Sequence, residues 1–105
     1  MADSWTFSEW SIGDVEPTAF VEAFQRFARV ATALGGAGEG MVLQDEQDPT
    51  HFVIIRRWDS AEVVERWAGA QAEHADEVRR LVPAGGRSAV MTKVADLGGS
   101  ATQSS

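Results

Sequence analysis

Apolar side chains recur at every second position near both ends of the chain and at every third or fourth position in two internal stretches, a pattern that predicts strands flanking helices. From Trp5 to Ile12, side chains Trp5, Phe7, Glu9 and Ser11 fall on one side of a strand, and Thr6, Ser8, Trp10 and Ile12 fall on the other. Gly13-Asp14 interrupts this strand, and Pro17 suits a first helical turn. Phe20, Phe24, Phe27, Ala31 and Leu34 then follow at helical spacing, giving a first helix with one apolar stripe. Gly35-Gly36 ends it by allowing a left-handed cap. Gly40 to Gln44 reads as a second strand and Asp45 to Thr50 as a polar turn.

His51 to Trp58 is almost continuously apolar up to Arg56 and Arg57, which predicts a third strand covered on both faces. Asp59 or Ser60 is placed to cap a second helix, and Glu62 sets negative charge at its positive end. Val63, Val64, Trp67, Val78 and Leu81 supply its inward positions, with Gly69 a point at which the segment divides into two shorter helices. Pro83-Ala84-Gly85-Gly86 closes the region, and Arg87 to Ala95 alternates as a fourth strand. One domain over residues 1–96 is expected, with the small polar segment 97–105 as a disordered tail. The order β-α-β-β-α-β predicts an α+β, ferredoxin-like antiparallel sheet with both helices on one face. Its second face, expected to carry residues such as Val42 or Phe52, would lack cover from the same chain, which predicts a homodimer packed sheet against sheet.

Composition narrows the chemistry. The chain has 105 residues and a formal charge of -7, which disfavours nucleic acid and anionic membranes as partners. The absence of cysteine excludes disulfides, thiolate metal sites and a thiol nucleophile. No apolar run approaches a membrane span, and Met1-Ala2-Asp3-Ser4 does not resemble a signal peptide, so a cytoplasmic location is expected. Gly35 to Gly40 lacks a following helix N-terminus and reads as a turn, not a phosphate cradle. With only His51 and His74 in the chain, no metal site is expected.

The segment from Asp48-Pro49 through Phe52-Val53 to Trp58-Asp59-Ser60 and Glu62, followed by Trp67, resembles the antibiotic biosynthesis monooxygenase (ABM) family. The resemblance implies a dimeric α+β barrel over nearly the whole chain, each subunit keeping a cavity between sheet and helices. It also implies oxidation of a polycyclic phenol by oxygen without a cofactor, with Trp67 carried over from the family pattern. Val63 stands where some members carry Asn, and the chain has neither Asn nor Tyr. Haem-degrading relatives pair an Asn on the first strand with a Trp and a His on the second helix. Trp67 and His74 match that pair in type, while the first strand offers Ser8, Glu9 and Ser11 as polar candidates.

A seven-residue interval brings Trp67 and His74 to nearly the same face of a continuous helix, about 10 Å apart along its axis. Core packing alone also accounts for Trp67, and the acidic neighbours Glu73, Asp76 and Glu77 suit a surface histidine. Arg56 and Arg57 point to opposite sides of their strand. A cavity arginine would bind a phenolate, a carboxylate or a haem propionate; its alternative is a salt bridge to an acid such as Glu9. Trp10 and Trp58 add indole faces suited to a flat ring. Glu9 is the carboxylate candidate for proton abstraction, given burial under aromatic cover. The catalytic candidates are therefore Trp67, His74 and Glu9, and the substrate-binding candidates Trp10, Arg56 and Trp58. With the family resemblance, they imply a cofactor-independent monooxygenase for a small polycyclic aromatic molecule. The alternatives are a haem-binding or haem-degrading protein and a noncatalytic ligand-binding dimer of the same fold.

Overall fold

The computed structural model describes residues 3–98. The elements run β1 (Ser4–Ser11), α1 (Pro17–Leu34), β2 (Ala37–Gln44), β3 (His51–Trp58), α2 (Ala61–Ala70), a 3-10 turn (Gln71–Glu73), α3 (Asp76–Leu81) and β4 (Arg87–Thr92). The sheet order is β2-β3-β1-β4 with every neighbouring pair antiparallel, which is the ferredoxin-like α+β arrangement. Thr6 stands opposite Arg56 on one side and Val90 on the other, and Trp10 stands opposite Phe52.

Local chemistry sets the element ends. Pro17 opens α1, and Gly35 closes it at φ 88° and ψ 153°, a conformation of positive φ outside the left-handed helical well and open almost only to glycine. The expected left-handed cap is thus a more extended exit. Ser60, not Asp59, caps α2, its Oγ accepting the Val63 backbone N–H at 3.3 Å. The second helical segment does divide, but Gly69 stays helical and the chain leaves the α register only at Gln71. β2 begins three residues before the expected Gly40, with an irregular register between Ala37 and Gly40. Its glycines allow β3 to approach closely: a Cβ on Gly40 would stand 2.7 Å from the Ile55 carbonyl oxygen. β4 stops at Thr92, short of the expected Ala95, and Leu97 and Gly98 belong to no element. The rest of the expected tail, 99–105, lies outside the described residues.

The apolar stripe of α1 and the inward positions of α3 close one core over the sheet, in which Phe20, Phe52, Ile54 and Val78 are buried. A second core forms around Ala31, Trp58 and Val64, with Trp67 packed against it. Phe52 was expected on the uncovered face, yet it is 2% exposed beneath Phe20, ring centroids 5.1 Å apart. Val42 also packs against this core. The apolar run Phe52 to Ile55 marks neither face, and the register with Trp10 turns Phe52 and Ile54 towards the helices. The face away from the helices instead carries Phe7, Val53 and Ile55, bordered by Met41, Leu43 and Met91, which are 53%, 45% and 50% exposed. Among the described residues no helix is long and apolar enough to cross a membrane.

Candidate functional site

The two cores do not merge. Between them lies a cleft of about 1060 Å³, floored by β1 and β3 and walled by α1 and α2. Aromatic rings follow one another along it. Trp10 meets Phe24 edge-on at 5.7 Å, Phe24 meets Phe27 at 5.4 Å, Phe27 meets Trp67 at 5.0 Å, and Trp67 stacks on Trp58 at 6.1 Å. The Trp10 indole N–H donates to Ser8 Oγ at 3.0 Å and that of Trp58 to Thr6 Oγ1 at 2.9 Å. Each hydroxyl accepts an indole proton and keeps its own to donate. These bonds fix two of the indoles; Trp58, 2% exposed, is covered by Trp67 and Arg56, and the partly buried Trp10 and Trp67 are the indoles left open to a ligand.

Arg56 projects from β3 into the same cleft. Its Nε–H donates to the Gly38 carbonyl at 3.0 Å, Nη1 to the Ala28 carbonyl at 3.2 Å and Nη2 to Thr32 Oγ1 at 2.8 Å. The guanidinium carbon lies 5.7 Å from the centre of the Trp58 ring, within cation–π range. Burial lowers the arginine pKa, because the charged form loses hydration. The expected salt bridge to Glu9 does not form. Alternation along β1 and β3 puts Glu9 on the opposite side of the sheet, where Arg57 also lies, paired with Glu39 at 2.8 Å and Asp59 at 3.2 Å.

The sequence profile of the antibiotic biosynthesis monooxygenase family matches residues 16–79, more than half of the chain. The chain belongs to the antibiotic biosynthesis monooxygenase family. Its fold is similar to that of SnoaB from Streptomyces nogalater, described as a cofactor-independent oxygenase, at a TM-score of 0.72 and 17% identity over 93% of this chain and 97% of that one. It is also similar to PA3566 from Pseudomonas aeruginosa, at a TM-score of 0.70 and 12% identity over 90% of this chain and 97% of the other. Rv0793 from Mycobacterium tuberculosis matches at 0.68 and 11% identity, over 91% and 99% of the two chains. No curated protein sequence matches significantly.

In this ABM-family chain the cleft gathers four of the six candidate residues: Trp10, Arg56, Trp58 and Trp67. Glu9 and His74 are not among its lining. Glu9 receives the His51 ring at 2.8 Å and Arg87 at 3.4 Å on the far face. His74 is exposed beyond the 3-10 turn, whose tighter winding ends the register that would have returned it to the Trp67 face. The other histidine, His51, sits between Glu9 and Asp45. With neither imidazole at the cleft, its residues do not fit an axially ligated haem, and among the described residues no cluster of three or more His, Asp or Glu side chains could hold a metal ion. Val63, where some ABM members carry Asn, packs in the second core.

Two glutamine amides stand where the sequence offered no asparagine. Gln71 and Gln25 both line the cleft, from the end of α2 and from α1. Gln71 follows Trp67 by four residues, a spacing that puts both on one helix face and that was readable in the sequence.

Proposed function

We propose that the chain is a cofactor-independent monooxygenase acting on a planar polycyclic phenol or quinol-type molecule held in the aromatic cleft. The observation that carries this reading is the run of rings from Trp10 through Phe24, Phe27 and Trp67 to Trp58, the last beside Arg56. It is supported by membership of a monooxygenase-type family and by a fold shared with SnoaB, described as a cofactor-independent oxygenase.

Such a substrate supplies its own electrons. An anthrone-type ring loses a proton from its CH2 carbon, and the resulting carbanion passes an electron to oxygen. Recombination forms a carbon–oxygen bond, and loss of water leaves a quinone, so CH2 and O2 become C=O and H2O. Trp67 and Phe27 hold the ring, Arg56 and the Thr6 and Ser8 hydroxyls face its oxygens, and the apolar walls keep water from the reactive carbon. The amides of Gln25 and Gln71 supply the hydrogen bonding for which the chain has no asparagine.

Incubating the metal-stripped protein with anthrone under labelled oxygen tests this. Quinone carrying one labelled atom, formed faster than without protein, is the expected result; a rate equal to the protein-free control removes the reading for this substrate class.

A noncatalytic ligand-binding protein is the second reading. It is favoured by one observation: Glu39, the carboxylate at the cleft margin, is paired with Arg57, and among the described residues no other acid or histidine lines the cleft. Tight binding of a quinone without oxygen consumption would select it.

We further propose that a second copy covers the open sheet face. Its apolar middle is bordered by Glu9, Asp45 and Arg87 at one end and by Arg57 and Asp3 at the other, so each border offers both signs of charge to a copy of itself. Light scattering during gel filtration should give a dimer mass.

A further inference from the structure

Arg56 is a cation in the cleft that no carboxylate among the described residues neutralises. The three acceptors of Arg56 are neutral, two carbonyls and a hydroxyl, and among the described residues no carboxylate pairs with it. Glu39 cannot serve, because its carboxylate is engaged by Arg57, whose hydrogen bond also lowers the Glu39 pKa. A guanidinium has five N–H donors in a planar fork, so donors remain for a ligand. Partly desolvated beside Trp58, that charge favours an anionic oxygen over a neutral one.

We propose that the cleft takes its aromatic ligand as the monoanion, with a phenolate or enolate oxygen seated against Arg56 and the released proton passing to solvent rather than to a side chain. The inference rests on the aromatic-ligand reading of the site. It gives the missing base a physical explanation: stabilising the ionised ligand raises its population, and water or buffer removes the proton. Because the chain carries a net charge of -7, preference for an anion here runs against the protein's overall field and must arise locally.

The test is binding of alizarin, whose colour reports ionisation of its phenol, to the full chain at a pH about one unit below the free dye's own ionisation. The bound dye should be about half ionised or more where the free dye is about one-tenth ionised, its ionisation moved down by about one unit or more, which is about tenfold tighter binding of the anion. Arg56→Met, checked for fold by circular dichroism, should bind the dye with the neutral spectrum. Arg56 also braces α1 against β2, so a second comparison uses the unaltered chain: 9-anthracenecarboxylate should bind about tenfold more tightly than 9-anthracenemethanol. A bound neutral dye, an alcohol that binds as well as the carboxylate, or no binding of either would overturn the inference. Anion binding without oxygen uptake on anthrone would leave it standing and remove the monooxygenase reading. Uptake with neutral binding would do the reverse.

Discussion

Trp67 lies on Trp58 with ring planes 27° from parallel and centroids 6.1 Å apart, so the last residue of β3 and the middle of α2 are joined across the short link that Ser60 caps. Phe27 of α1 also packs on Trp67, ring centroids 5.0 Å apart. One indole therefore connects both helices to the sheet and forms a wall of the cleft.

Trp67→Ala should destabilise the fold by about 2 to 3 kcal/mol, below the range for fully buried aromatics because this side chain is only partly buried. Trp67→Phe should retain most of that stability. Urea unfolding followed by circular dichroism reads both, and an unchanged midpoint for the alanine variant would contradict the bridging role.

Gln71→Leu separates binding from stability. The side chain is exposed at the end of α2, so the unfolding free energy should stay within about 0.5 kcal/mol of the parent. Loss of one ligand hydrogen bond should weaken quinone binding by about 1 kcal/mol, roughly fivefold. Quenching of tryptophan fluorescence measures it, and equal affinity would remove Gln71 from the site.

The element order, the stripe of α1 and the cap of α2 were legible because periodicity and capping chemistry are local. Faces were harder. Phe52 and Val42 were assigned to the wrong side because an apolar strand carries no alternation to read, and only pairing with β1 and β2 decides it. The start of β2 was hidden by Gly36, Gly38 and Gly40, which have no side chains to alternate and are held by the close approach of Val63, Arg57 and Ile55. At the site, aromatic and cationic members were visible as residue types, whereas Glu9 was misplaced relative to the cleft although its alternation with Trp10 and Ser8 already put it on the other face. The link from Trp67 to His74 failed because a 3-10 turn interrupts the helix, a tertiary outcome that Gly69 signalled only approximately.

Gly40→Ala should cost about 1 to 3 kcal/mol, since the added methyl meets the backbone oxygen of Ile55, which cannot move without disturbing the β2–β3 ladder. Thermal unfolding checks this, and an unaltered melting temperature would contradict the close approach.

His51 has a carboxylate at each ring nitrogen, Asp45 at 3.1 Å from Nδ1 and Glu9 at 2.8 Å from Nε2, an arrangement in which only the imidazolium donates twice. The hydrogen bonds to Asp45 and then Glu9 raise its pKa above the ordinary value of about 6.5. A base whose pKa is higher folded than unfolded contributes stability that is complete below the unfolded value and lost as pH rises through the folded one. Asp45 acts oppositely: the Gln47 backbone N–H and then His51 lower its pKa, so its contribution fades as pH falls through the depressed value. The melting temperature of the parent should therefore decline above about pH 6.5 more steeply than that of His51→Gln. Parallel curves would show that the clasp contributes nothing.

The cleft as an oxygenation site is tested most directly by oxygen consumption. Metal-stripped protein is given anthrone in an oxygen electrode cell, with quinone absorbance followed in parallel, and the parent is compared with Trp67→Phe at matched folded concentration. Uptake without added cofactor that falls about tenfold or more in the variant is the expected result, corresponding to about 1.4 kcal/mol of lost transition-state stabilisation. Uptake equal to the protein-free rate, or unaffected by the change at Trp67, would contradict the assignment of the reaction to this cleft.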